Sequence, residues 1–175
     1  MVLTLLLAIT GPWSVAANVF TADAIRVAGD PFAKFEPQRD AIKTLGIVAT
    51  DDAYRFLAER ITVFYLGLER PLRAFSGEDD PPEDWYLCLV ALTRHPDGRP
   101  RRDERAARAI VQSLDREIWA LHEVMIPRAL ISLLGENGAK SGKLRARAML
   151  EAELSRTPKG EYAANLRKLI RQLGD

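Results

Sequence analysis

One cysteine and two histidines leave this chain of 175 residues short of the side chains that most catalytic and metal chemistry needs. Cys88 has no second thiol to pair with, which excludes an intramolecular disulfide and a multi-cysteine zinc site. It sits in the apolar stretch 85–92, WYLCLVAL, without a neighbouring His or Lys to lower its pKa, so a buried, inert thiol is expected. His122-Glu123 opens like the HExxH of a zinc protease, but Ile126 stands where the second histidine would bind the metal one turn later. His122 therefore reads as a helix residue, and His95, ahead of Pro96-Asp97-Gly98, as a turn residue. There is no G-x-S-x-G elbow, and two isolated histidines assemble no triad.

Other motifs fall short in the same way. In residues 138–144, GAKSGKL, the glycines are one residue too close for a phosphate-binding loop and Leu144 replaces the magnesium-binding hydroxyl, so the segment reads as a helix connector. The carboxylates Glu78, Asp79, Asp80, Glu83 and Asp84 surround Pro81-Pro82 and lack the glycine of a calcium loop, which makes residues 76–84 an exposed acidic connector. Long apolar runs are missing too. None approaches the roughly 20 residues that cross a bilayer, so no transmembrane anchor is expected. Period-two alternation never persists, so no strand is expected.

Net charge is also close to absent, with 25 basic residues against 24 acidic ones. The balance conceals an asymmetry: residues 1–93 carry 8 basic and 13 acidic side chains for a net −5, and residues 94–175 carry 17 and 11 for a net +6. Arg99, Arg101, Arg102, Arg105 and Arg108, with Lys143, Arg145 and Arg147, are the candidate anion-binding patch of the basic half. Asp97, Asp103, Glu104, Glu151 and Glu153 are interleaved with them, as on an ordinary solvated face.

What the chain does have is helical periodicity. Residues 41–61, AIKTLGIVATDDAYRFLAERI, place Ala41, Ile42, Leu45, Val48 and Ala49 on one helix face and Ala53, Leu57 and Ile61 on another, continued by Phe64 and Leu68. A tight polar turn separates the two, and Pro71 ends the second near Arg70. Further helices are expected over 85–94, 103–114, 118–134, 144–154 and 162–173. The helix over 118–134 is expected to kink at Pro127 or divide there; residues 135–142 read as a loop, and Thr157-Pro158 as the capped start of the last helix.

At the N-terminus, residues 2–9, VLTLLLAI, precede Gly11-Pro12 and the small residues Ser14-Val15-Ala16-Ala17, the order of a secretory signal peptide with cleavage after Ala16 or Ala17. No Lys or Arg precedes the run, and a buried first helix is the alternative. The expected organisation is a signal peptide over 1–17 and a single all-α domain over 18–175. That protein would be exported to the periplasm or beyond the cell, or cytoplasmic if the run is no signal.

Residues 38–61, QRDAIKTLGIVATDDAYRFLAERI, with Leu45-Gly46 in the first helix and Ala-x-x-x-Leu in the second, resemble a short HEAT-like repeat. Residues 144–173 echo that order without the Leu-Gly pair, and residues 104–134 are a further candidate pair. The resemblance implies helical hairpins stacked as a short α-solenoid, the other reading being an irregular helical bundle. It further implies a non-catalytic scaffold or adaptor whose partner is another protein, ahead of nucleic acid or an anionic surface. No cofactor and no metal are expected; the alternatives are polyanion binding by the basic half or, last, an enzyme whose site is not visible in sequence.

Overall fold

The computed structural model describes residues 12–30, 33–63, 84–114 and 120–174. They form α1 (Pro12–Gly29), α2 (Phe35–Val48), α3 (Asp51–Val63), α4 (Asp84–Thr93), α5 (Glu104–Gln112), α6 (Ala120–Leu134), α7 (Ala139–Arg156) and α8 (Gly160–Leu173). Among the described residues there is no strand, only an isolated antiparallel bridge between Arg94 and Pro100. The protein is all-α, as its periodicity predicts. The apolar run 2–9, residues 76–83 of the acidic connector, Phe64, Leu68 and the side chain of His122 lie outside the described residues.

Local chemistry explains where the helices begin and end. Pro12 is the first residue of α1, where its missing N–H costs nothing, and the helix continues through Ala16 and Ala17. The α2 stripe ends at Val48 because Ala49 turns left-handed, φ 52°, and returns its N–H to the Leu45 carbonyl. Thr50 then accepts the Ala53 amide at 3.2 Å at the start of α3. Asp103 does the same for α5, accepting the Arg105 amide at 2.9 Å. Pro127 lies inside α6, which is one helix and not two.

Two expected boundaries need correction. Residues 139–142 are not loop but the start of α7, because Gly138 at φ 99° redirects the chain and Gly142 lets the new helix touch the old one. A Cβ on Gly142 would collide with the Ile131 carbonyl oxygen of α6 and come within 2.9 Å of Gly135 Cα. The glycines that superficially suggest a phosphate loop thus serve a close helix crossing. Thr157 closes α7, donating its amide to the Glu153 carbonyl, and Lys159 takes the N-cap place of α8.

The helices pack along the chain order. α2 lies against α1, α3 and α4; α3 against α4 and α5; α6 against α4, α5, α7 and α8; and α7 against α8. One apolar core runs through these contacts, with Leu45, Leu57, Leu92, Ile110, Leu130 and Leu150 among its fully buried side chains. Burial of each such side chain contributes about 1.5–3 kcal/mol before the entropy cost. Cys88 is fully buried in α4, as expected of an inert thiol. The Leu45-Gly46 pair also has a local reason: Leu45 fills the core, and at Gly46 a Cβ would stand 3.0 Å from both Cβ and O of Ala91, so glycine lets α4 come close.

Candidate binding surface

The polar centre of the molecule is a buried guanidinium. Arg101 follows the turn after α4, is 5% exposed, and donates to the Tyr54 hydroxyl at 2.8 Å, the Gly46 carbonyl at 2.6 Å and the Arg94 carbonyl at 3.3 Å. Its Nε is buried without a hydrogen-bond partner. The Tyr54 hydroxyl in turn donates to Asp103 Oδ2 at 2.7 Å, and Arg105 joins that carboxylate at 3.2 Å. Burial first, then the hydrogen bond to Asp103, pushes the Tyr54 phenol up to about 12. Burial alone would raise the Asp103 carboxyl, but hydrogen bonds from Tyr54 and Arg105 outweigh it and hold the group below its ordinary value. Every member but Arg105 is turned inward, so this network joins α2, α3, α4 and α5 and offers little to a ligand.

The structure disperses the eight cations of the candidate patch. Arg99 pairs with Asp97 at 2.6 Å in the exposed turn, and Arg105 reaches Asp51 at 3.5 Å besides Asp103. Arg102 donates to the Ser132 carbonyl near the end of α6, and Arg145 to the Leu134 carbonyl at 3.3 Å. Arg147 pairs with Glu151 at 2.9 Å and reaches the Gly174 carbonyl after α8 at 3.4 Å, while Lys143 Nζ lies beside Gly174. Outside the patch, Arg60 donates to the Ala28 carbonyl of α1 at 3.4 Å, and Arg167 to the Pro158 carbonyl after α7 at 2.6 Å. A pattern emerges that sequence spacing does not show. Arginines from distant elements serve the carbonyls at helix C-termini, where backbone acceptors lack partners and the macrodipole is negative.

Arg108 and Arg145 of the patch line one concave surface together. It is a cleft of about 320 Å³ between α5 and α7, lined also by Leu134 of α6. Val111, Leu134 and Met149 form its apolar floor, and Ala148 and Ala152 leave α7 low along one wall. Charged groups form the rim. Glu104 accepts from Arg108 at 2.9 Å with one oxygen and from Arg145 at 3.2 Å with the other; Arg145 also pairs with Glu136 at 2.9 Å, and Arg156 with Glu153 at 3.2 Å. The hydrogen bond and charge of Glu136 raise the Arg145 guanidinium further above its ordinary range. Glu104 and Arg108 stand four residues apart on α5, a spacing legible in sequence, whereas Met149, Ala148 and Arg156 carry no signal there.

No group of three or more His, Cys, Asp or Glu side chains among the described residues is placed to hold a metal ion. No helix among the described residues is long and apolar enough to cross a membrane. Comparison of the chain with protein families, characterised proteins and solved structures finds no match.

Proposed function

We propose that this protein is a HEAT-like, non-catalytic adaptor that binds another protein through its helix surfaces. The observation that carries the reading is the order of packing: each helix lies chiefly against the next or next-but-one in the chain, α2 on α4, α3 on α5 and α6 on α8. Helix pairs that bury their stripes on neighbouring pairs are the building principle of α-solenoids, which act by surface complementarity. The cleft between α5 and α7 supports the same reading, because it pairs an apolar floor with a rim of arginines and carboxylates rather than converging acids, bases and nucleophiles.

The test is reconstitution. A protein recovered with the tagged chain should re-form a stoichiometric complex when both are purified, with micromolar or tighter affinity. A chain that elutes alone with every recovered protein, or that turns over a substrate in a broad hydrolase and transferase screen, would overturn the adaptor reading.

A further inference from the structure

We infer that the cleft between α5 and α7 is the seat for an acidic, apolar peptide segment of the partner, one carboxylate bound on its arginine rim and one apolar side chain on Met149. This rests on the adaptor reading and specifies it. Three guanidiniums, those of Arg108, Arg145 and Arg156, meet the carboxylates of Glu104 and Glu153 in the cleft wall, and Glu136 adds a third on Arg145, so the rim is balanced in charge and its surplus is one of N–H donors. The carboxylate of Glu104 is divided between Arg108 and Arg145, so Arg108 is the under-neutralised member of that trio. Arg108 and Arg156 are 56% and 69% exposed and each makes one ion pair, whereas a guanidinium presents five N–H donors in a planar fork. Two of the three rim arginines thus keep an open donor edge facing solvent above an apolar floor.

The molecule already shows that such sharing works. Arg145 holds the carboxylates of Glu104 and Glu136 at once, at 3.2 and 2.9 Å. An incoming carboxylate on Arg108 or Arg156 would adopt the same doubled arrangement. The cleft volume of about 320 Å³ is at the small end for ligand sites, enough for two or three side chains and too small for a folded element. Ala148 and Ala152, exposed on α7, let a peptide backbone pass close to the helix. A basic segment would instead have to compete with Arg108, Arg145 and Arg156 for the two wall carboxylates.

The experiment is fluorescence anisotropy on the full chain with two labelled pools of nine-residue peptides. In one pool Asp or Glu alternates with Leu, Met, Val or Phe; in the other Lys or Arg replaces the acids. Oligo-dT of matched charge is the competitor. The acidic pool should bind roughly tenfold better than the basic pool, and the double variant Arg108→Glu/Arg156→Glu should reverse that order. Ala148→Trp, which fills the cleft without changing charge, should lower acidic-pool binding roughly tenfold. Arg55→Glu on α3, an exposed charge outside the cleft wall, should leave it unchanged. Thermal melts show whether each variant is folded. Equal binding of both pools, displacement by oligo-dT at equal charge, or indifference to both cleft variants would overturn the assignment. Acidic-pool binding that survives the cleft variants would move the peptide site elsewhere and leave the adaptor reading standing; failure of reconstitution would remove the adaptor reading itself.

Discussion

Replacing Arg101 with methionine tests whether the buried guanidinium holds the N-terminal half together or merely occupies it. Methionine keeps an unbranched apolar stem of similar reach and deletes the charge. Two short hydrogen bonds are lost, at 2.6 Å to the Gly46 carbonyl and 2.8 Å to the Tyr54 hydroxyl. At about 1.5–3 kcal/mol for each bond to a charged group, the gross loss is about 3–6 kcal/mol. Against it stands the relief of a desolvated charge whose Nε has no partner, worth about 1–3 kcal/mol. Taking the middle of each range, the expected net loss is about 2–3 kcal/mol. Urea unfolding followed by tryptophan fluorescence should show a lower midpoint with an unchanged slope. A double-mutant cycle with Tyr54→Phe should return a coupling of about 1 kcal/mol. An Arg101→Met protein within about 0.5 kcal/mol of the parent, or more stable, would refute the reasoning, because it would mean that packing replaces the guanidinium as it does in some buried ion pairs.

Other outcomes follow from the same geometry. The Tyr54 phenol should ionise near 12 against 10.0 in the unfolded chain, so its contribution of up to about 3 kcal/mol is complete below pH 10 and is lost as pH rises toward 12. Ultraviolet titration should show a late tyrosine that is absent in Tyr54→Phe. The lowered Asp103 carboxyl works in the opposite direction: its stabilisation is complete above the ordinary value of 3.8 and fades as pH falls through the folded value, so Asp103→Asn should flatten the acid limb of unfolding. Gly142→Ala should cost about 3 kcal/mol or more, since the obstructing atoms are backbone, and calorimetry should find it far more damaging than Gly138→Ala, where nothing lies within 4 Å and only the φ of 99° resists. Ala49→Gly should raise the melting midpoint modestly, by relieving about 1 kcal/mol of left-handed strain.

Residues 41–61 carried their architecture in plain view because apolar spacing is a local property and the two helices need only their own stripes to be recognised. The glycines of residues 135–142 misled for a physical reason. Glycine marks both a turn and a close helix crossing, and only the position of Ile131 shows that Gly142 does the second. The arginines were harder still. Arg101 and Arg102 are neighbours in sequence, yet one is buried against α2 and α3 and the other donates to Ser132 of α6. Charge composition cannot distinguish a helix cap from a binding residue, because the partner is a main-chain carbonyl that every residue possesses. The cleft was half legible: Glu104 and Arg108 form a pair at helical spacing, but Arg145 reaches Glu104 across 41 residues.

The buried guanidinium also bears on how the chain comes apart. Stacks of helix pairs joined only to their neighbours can lose their ends one unit at a time, since no contact obliges distant units to share a fate. Here one cation holds the carbonyl of Gly46 near the end of α2 and that of Arg94 beyond α4, and through Tyr54 meets the carboxylate that caps α5. Opening any one of those helix ends strands the polar groups of the others. α2 through α5 should therefore melt as one cooperative block, their amide hydrogens exchanging together.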